Sequence, residues 1–222
     1  GVGVAEAAVE AQCSVIGNVG FLGIPMLALL MGPEAVGPII LVVSVDLVVF
    51  GSLIIILITA SRGDGMSLGI FRTVAMGLVR NPMFVSIVMG LVWSSYGLPV
   101  PRPVDEFLSL LGAAATPGAL FAIGASLASK SAERLSVAAT ISAFKLFVHP
   151  AAVAIAALLI WPVEPFAAKV MVAASALPVA GNIFIIAQHY QVAPQRASAA
   201  ILVSTLVSVV TVAAAIAWIE TI

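Results

Sequence analysis

Two apolar stretches of the chain each combine an asparagine with a proline and at least one glycine. Residues 17–25 have the sequence GNVGFLGIP, and residues 176–184 have the sequence ALPVAGNIF. Proline removes a backbone hydrogen-bond donor and obstructs the preceding helical turn, while glycine eases local unwinding. The pattern predicts a broken helix in each stretch. The candidate site residues are Asn18, Gly20, Gly23 and Pro25 in the first stretch and Pro178, Gly181 and Asn182 in the second.

A helix that breaks inside a membrane exposes main-chain groups that can bind ions. Freed amides and the positive end of a half-helix dipole can bind an anion, and carbonyls at the opposing end can bind a cation. The side chains of Asn18 and Asn182 carry donors and acceptors, so they can bind a carboxylate or only cap the broken ends. For the first stretch, a continuous but kinked helix packed through its glycines is the alternative.

Three ionisable residues fall inside apolar segments, where charged groups are functional candidates. Asp46 and Lys145 lie near the middle of their segments. They can form an ion pair that holds two helices together, or one of them can take part in proton coupling. His149, one turn after Lys145, is either a proton carrier or a hydrogen-bonded packing residue. Lys169 and His189 fall near segment ends and are expected to extend towards water.

The composition indicates the environment in which these residues act. Hydrophobic residues make up 62% of the 222 positions and charged residues 9%, against roughly half and a quarter in soluble domains. The chain therefore belongs in a lipid bilayer. A net charge of -1 without a basic patch argues against nucleic acid as a partner.

Other function classes are also disfavoured by the sequence. The single cysteine, Cys13, excludes an internal disulfide, and neither CxxC nor a Cys/His zinc pattern is present, so we expect no metal site. Signatures of zinc proteases, serine hydrolases and nucleotide-binding loops are absent. We therefore expect neither an enzyme nor a bound cofactor.

The apolar segments are each about 20 residues long, which is the length that a hydrocarbon core of roughly 30 Å requires of a helix. Lipid offers the backbone no hydrogen-bond partners, so the spans must be helical. Seven spans are predicted, at residues 8–31, 36–60, 79–97, 105–129, 135–160, 165–190 and 195–219.

Basic residues concentrate in alternate loops, which predicts the orientation. One set of loops contains Arg62, Arg72, Arg80, Lys130, Arg134 and Arg196, whereas the other is mostly acidic. The basic set should face the cytoplasm, which leaves the carboxyl terminus on the non-cytoplasmic side. Residues 66–80 are either a helix in the cytoplasmic interface or the beginning of a longer, tilted third span.

A weak internal repeat is visible when the chain is shifted along itself by 161 residues. Residues 32–35 then align with 193–196, and residues 40–44 align with 201–205. The shift covers five predicted spans, an odd number, so matching helices must run in opposite directions. Inverted repeats of this kind are found in many secondary transporters.

The repeat predicts how the chain is organised. Residues 1–60 would be the last two helices of a first repeat, and residues 61–222 a second repeat of five helices. Three further helices are expected before Gly1, and the absence of an initiator methionine agrees with a start inside a longer chain.

Several motifs resemble those of the auxin efflux carrier family, whose bacterial members include malonate and other dicarboxylate permeases. The motifs lie at residues 18–25, 81–82, 117–124, 145–146 with 150, 176–178 with 190, and 204–205. The resemblance implies an all-α polytopic membrane protein of ten helices in two inverted five-helix repeats. It also implies that the fourth and ninth helices are broken and cross at the substrate site, in a fold shared with bile-acid-type sodium symporters.

The same resemblance implies a function in the bacterial inner membrane. It suggests transport of small organic anions, such as auxin-like or malonate-like carboxylates, driven by an ion gradient or the membrane potential. Plant members of the same family have a proline at the position where this chain has Ile183. A small carboxylate is therefore a safer expectation than auxin itself.

Three hypotheses follow. The first is a secondary carrier that moves an organic anion by alternating access, with a proton or a sodium ion as the possible coupling ion. The second is sodium-coupled transport on the same scaffold, and the third is a non-transporting membrane sensor or partner subunit. A homodimer is an assembly that the sequence leaves open.

Overall fold

The computed structural model describes residues 2–61, 68–80, 82–127 and 135–221. Within these ranges the chain is helical and has no β-strand, which confirms the predicted all-α class. The α-helices are α1 (Val4–Val15), α2 (Ile24–Met31), α3 (Val36–Val45), α4 (Gly51–Ser61), α5 (Leu68–Val79), α6 (Pro82–Ser95), α7 (Arg102–Leu127), α8 (Leu135–Ala143), α9 (His149–Ile155), α10 (Pro165–Ser175), α11 (Gly181–His189) and α12 (Pro194–Ile219). Wider π-helical turns occupy Val19–Gly23, Asp46–Phe50, Phe144–Val148 and Ala156–Ile160, and a 3₁₀ turn occupies Pro33–Ala35.

In the part of the chain that the structure describes, three helical segments are long and apolar enough to cross a membrane, and each has 26 or 29 residues. At 1.5 Å per residue they are about 39 to 44 Å long, which exceeds the hydrocarbon thickness of roughly 30 Å. These segments are Pro33–Ser61, Leu135–Ile160 and Pro194–Ile219. Shorter apolar helices occupy Val19–Met31, Phe84–Ser95 and Pro165–Ser175. The protein is an integral membrane protein, and the count of seven spans stays a prediction.

The segment before the predicted third span forms a helix of its own. α5 ends at Val79, and α6 begins at Pro82. The structure thus has two helices here instead of one long span, and the interfacial position of α5 stays a prediction.

The half-helices on either side of the two predicted breaks divide between two hydrophobic cores. Val9 of α1 and Ile183 of α11 belong to one core. Leu27 of α2 and Val170 of α10 belong to the other. α1 therefore packs with α11, and α2 packs with α10.

α12 connects the two cores, because it packs along α8 and also contacts α1, α10 and α11. Its first turns are held to α1 by ion pairs, since Nη1 of Arg196 lies 2.5 Å from Oε1 of Glu10 and 3.3 Å from Oε2 of Glu6. Small buried residues allow these helices to approach closely. They are Ala168, Ala173, Ala174, Ala197, Ser198, Ala199 and Ala200.

α10 has a capped amino-terminal end. The carboxylate of Glu164 accepts hydrogen bonds from the amides of Phe166, at 3.0 Å, and Ala167, at 2.7 Å. These bonds favour the ionised carboxylate and lower the pKa of Glu164. The cap fixes where α10 begins, and the helix then runs 11 residues to the second break.

Candidate functional site

The first predicted broken stretch is interrupted in the structure, but not at its proline. α1 ends at Val15, residues 16–18 are not helical, and the π-helical turn Val19–Gly23 leads directly into α2. Pro25 was predicted to mark the break and instead lies in the first turn of α2. The π-helical turn accommodates the proline, because its wider ring of hydrogen bonds moves carbonyls away from the missing donor.

The second stretch is interrupted at its proline. α10 ends at Ser175, residues 176–180 are not helical, and α11 begins at Gly181. Pro178 therefore lies within the interruption, where it is buried. Asn182 occupies the first turn of α11.

The two interruptions pair with each other through their backbones. The amide of Asn18 donates to the carbonyl of Pro178 at 2.8 Å, and the amide of Ala180 donates to the carbonyl of Ile16 at 3.1 Å. Together they form an antiparallel β-bridge between Gly17 and Val179. The amides of Asn18 and Ala180 are therefore not free to bind an anion, because each donates a hydrogen bond to a carbonyl of the other interruption.

Two glycines are closely packed where the two interruptions touch. A Cβ atom on Gly17 would lie 3.3 Å from the carbonyl oxygen of Ala174 and 3.3 Å from Nζ of Lys145. A Cβ atom on Gly23 would lie 2.7 Å from Cδ1 of Leu177. Gly23 therefore serves close packing beside the crossing, and it is not among the residues that line the cavities described below.

The remaining free amides of the crossing belong to the beginnings of two half-helices. In the ranges that the structure describes, the amides of Gly20, Gly181 and Asn182 donate no hydrogen bond. The side-chain oxygen of Asn182, Oδ1, is buried and has no hydrogen-bond partner. Unsatisfied buried donors and acceptors are expected where a ligand or water completes the site.

These half-helix beginnings share one cavity of about 490 Å³, which we call the amide cavity. Its polar and charged lining comprises the two asparagines, Asp46 and Arg80, and apolar side chains form the rest of its wall. The full lining is Ile16, Gly17, Asn18, Gly20, Phe21, Val43, Asp46, Leu47, Gly77, Arg80, Pro82, Ala180, Gly181, Asn182 and Ile185. Two positive helix ends therefore face one space.

The half-helix ends face a second cavity of about 500 Å³, which we call the carbonyl cavity. It is lined by Val15 at the end of α1 and by Ala174 and Ser175 at the end of α10, together with His149. Apolar side chains of α3 and α10 form most of its remaining wall. Carbonyl groups at helix ends make this side electronegative.

Lys145 sits at the end of α10 with its side chain completely buried. Its ammonium donates to the carbonyl of Ser175 and lies 3.2 Å from Nδ1 of His149, which itself lies 3.3 Å from the same carbonyl. A positive charge at the negative end of a half-helix is stabilised by the helix dipole. The lysine occupies the place where the sequence argument expected carbonyls to be free for a cation.

Asp46 and Lys145 do not form the ion pair that was one of the two sequence-based alternatives. Asp46 starts the π-helical turn Asp46–Phe50 and is half-buried. It lines the amide cavity and also the carbonyl cavity. Gly17 is the other described residue that both linings share.

The structure brings most of the predicted site residues together. Asn18, Gly20, Gly181, Asn182 and Asp46 line the amide cavity. His149 lines the carbonyl cavity. Gly23, Pro25, Pro178 and Lys145 support the crossing without lining either cavity, and whether the lining residues bind a ligand stays a prediction.

Three residues of the site were missed by the sequence argument. Gly17 belonged to the quoted motif but was not singled out, although its place directly before Asn18 was a signal. Arg80 was used only as an orientation signal. Ser204, whose Oγ accepts the amide of Val179 at 3.1 Å, appeared only as part of a repeat match.

Comparisons with known proteins agree with a membrane transport role. A family model described as membrane transport protein matches residues 4–216. A protein of Rhizobium meliloti (strain 1021) named "Putative malonate transporter" is 31% identical over 215 residues, which cover 94% of this chain. The chain spans 66% of the length of that relative.

Proposed function

The chain belongs to the auxin efflux carrier family of membrane transport proteins, and we propose that it forms part of a secondary carrier for small organic anions. It is a transport protein and not an enzyme. The observation that carries the proposal is the amide cavity, which is lined by Gly20 and Gly181 in the first turns of two half-helices. Two partial positive charges and two asparagine side chains suit one carboxylate.

The substrate class follows from the chemistry of this cavity and from the relative named for malonate. A carboxylate can accept hydrogen bonds from the free amides of Gly20, Gly181 and Asn182. Apolar side chains such as Phe21 and Ile185 can contact the carbon atoms of a small organic acid. Pockets of this kind combine an apolar wall with few orienting polar groups.

The architecture proposed for the whole protein is ten helices in two inverted five-helix repeats. In that arrangement, α1 with α2 would be the fourth helix and α10 with α11 the ninth. The antiparallel bridge between Gly17 and Val179 supports this, because segments related by inversion meet in opposite directions. We further propose that the protein lies in the bacterial inner membrane, with its carboxyl terminus on the non-cytoplasmic side.

Alternating access would expose the bound anion first on one side of the crossing and then on the other. The amide cavity and the carbonyl cavity are the two spaces available, and they meet at Gly17 and Asp46. An anion and an ionised Asp46 repel each other in a site of low dielectric. Protonation of Asp46 with each transported anion would remove that repulsion, which makes a proton the proposed coupling ion.

The proposal is tested by reconstituting the full-length protein into liposomes and measuring uptake of labelled malonate, succinate and indole-3-acetate. We expect uptake of at least one acid, and we expect Asn18→Ala and Asn182→Ala each to reduce it at least tenfold. Gln188→Ala is the matched control, because Gln188 also carries an amide but is exposed on α11. Folded protein that takes up none of these acids would favour a sensor or partner subunit.

Sodium coupling is the second candidate, and the position of Lys145 argues against it. The carbonyl of Ser175 already accepts a hydrogen bond from the Lys145 ammonium, so a sodium ion would have to displace it. Replacing external sodium with choline should leave uptake unchanged while a pH gradient is maintained. Loss of uptake in choline would support the sodium symporter instead.

A further inference from the structure

Arg80 is a cationic side chain that borders the amide cavity and is not explained by its predicted role in orientation. It follows the last residue of α5, and its amide continues that helix by donating to the carbonyl of Met76 at 3.0 Å. Among the described residues that line the cavity, it is the only basic one. Its guanidinium can form two parallel hydrogen bonds with one carboxylate.

The charge balance of the amide cavity leaves room for a second carboxylate. Asp46 is protonated in the proposed transporting state, so it adds no charge to this balance. Each helix beginning contributes about half an elementary charge, so the two that include Gly20 and Gly181 together balance about one negative charge. A monocarboxylate is therefore matched by the helix ends alone. A dicarboxylate carries one further negative charge, and Arg80 carries the one further positive charge.

A second arginine, Arg72 of α5, lines a groove that adjoins the amide cavity. Arg72, Met76, Gly77 and Arg80 line an adjoining groove of about 460 Å³. Residues four positions apart share one face of a helix, so Arg72 and Arg80 lie two turns apart along that face. Arg72 does not line the amide cavity, which makes it a matched control for the local effect of Arg80.

We infer that Arg80 is a specificity-determining residue that makes the amide cavity selective for dicarboxylates over monocarboxylates. It would bind the carboxylate that the two helix beginnings do not hold. This inference rests on the proposed function, because it assigns a substrate class to the same cavity. The relevant ligand chemistry is two carboxylates joined by a short carbon chain.

The test measures the half-saturating concentrations of malonate and of monomethyl malonate for the reconstituted full-length protein. The ester keeps the shape of malonate and removes one charge. We expect Arg80→Gln to raise the value for malonate by about tenfold to a hundredfold, which is the range for losing a charged, two-point hydrogen bond. The value for the ester should change less than about threefold, and Arg80→Lys should give an intermediate value for malonate.

Arg72→Gln should leave the ratio of the two values unchanged, although it can slow malonate uptake at low ionic strength. Equal losses for malonate and its ester in Arg80→Gln, or no change for either, would overturn the inference. If Arg80→Gln does not fold, the same comparison of malonate with its ester is made in Arg80→Lys, and an unchanged ratio of the two half-saturating concentrations overturns the inference. Wild-type protein that carries monocarboxylates but not malonate would refute the dicarboxylate inference and leave the carrier proposal intact, whereas absence of all carboxylate uptake would refute the carrier proposal.

Discussion

The amide cavity and the carbonyl cavity have almost the same volume but opposite electrostatic character. The first, of about 490 Å³, is bordered by two helix beginnings and Arg80, whereas the second, of about 500 Å³, is bordered by two helix ends. Lys145 stands at the negative side, where its charge is held by the Ser175 carbonyl. One crossing of two broken helices thus produces a space bordered by two helix beginnings and a space bordered by two helix ends, with the buried ammonium of Lys145 bound at one of those ends.

In the proposed carrier, this difference would separate substrate binding from coupling. Among the residues that the structure describes, Gly17 and Asp46 alone line both cavities, so they mark the boundary between the two spaces. Gly17→Val disturbs the boundary between the two cavities, and Lys145→Met disturbs the surroundings of the carbonyl cavity. Asp46→Asn changes the ionisable group that lines both cavities, and Arg196→Gln removes a distant contact. Comparing them tests whether the two cavities act as separate parts.

The largest effect is expected from Gly17→Val, because it changes the boundary itself. A Cβ atom there would already lie 3.3 Å from the Ala174 carbonyl and from Nζ of Lys145, and valine adds two methyl groups. Such overpacking destabilises proteins by about 1–3 kcal/mol, and transport should be lost. Thermal unfolding in detergent and liposome uptake measure both effects.

Gly37→Ala is the control for that substitution, since nothing lies within 4 Å of the added Cβ atom and the residue is within α3. Its stability should equal or exceed that of the wild type. Normal uptake by Gly17→Val would show that the crossing tolerates displacement, and the comparison of the cavities would lose its basis.

Lys145→Met should disturb the carbonyl side alone. The substitution keeps an extended side chain but removes the charged hydrogen bond to Ser175, which stabilises the fold by about 1.5–3 kcal/mol in comparable cases. We expect uptake to fall at least tenfold while the ratio of malonate to monomethyl malonate binding is retained. Lys169→Met is the control, and a changed ratio in Lys145→Met would show that the cavities are not independent.

Asp46→Asn should make transport independent of the pH gradient, and it should lower stability less than Lys145→Met does. The charged and titratable groups around Asp46 are Arg80 in the amide cavity, His149 in the carbonyl cavity and the nearby Lys145. Because asparagine cannot exchange a proton, we expect uptake without a pH gradient to persist and its stimulation by a gradient to disappear. Stimulation equal to that of wild type would assign coupling to another group, and Glu34→Gln is the control.

The smallest effect is expected from Arg196→Gln, which is distant from both cavities. The ion pairs of Arg196 with Glu10 and Glu6 are partly exposed, so their loss should lower stability by about 1 kcal/mol or less. The effect should diminish in high salt, and substrate preference should not change. Arg102→Gln provides the comparison, because its pair with Glu106 is far more exposed and its removal should have no measurable effect.

The helical breaks could be predicted from sequence because proline, glycine and asparagine act locally. Residues 16–18 and 176–180 are interrupted, as the two motifs suggested, and the all-α class followed from composition. The location of the first break was less predictable. Pro25 signalled a disruption, but the helical turns at Val19–Gly23 run into α2 without a gap and the interruption lies nearer the amino terminus, at residues 16–18.

The parts that sequence could not supply depend on contacts between distant residues. The pairing of Asn18 with Pro178 joins residues 160 positions apart, and no local pattern encodes it. Arg80 was interpreted only as a loop charge, because the rule for orientation uses arginine without asking what it faces. Lys145 was correctly singled out as buried, but its partner proved to be a main-chain carbonyl and not the carboxylate of Asp46.

The bridge between Gly17 and Val179 bears on how the substrate of the proposed carrier can differ among relatives. Its hydrogen bonds involve only peptide groups, so exchanging the asparagine side chain or the pyrrolidine ring beside it leaves the bonding atoms in place. Relatives could therefore bind different substrates by replacing the surrounding side chains while the backbone bridge stays the same.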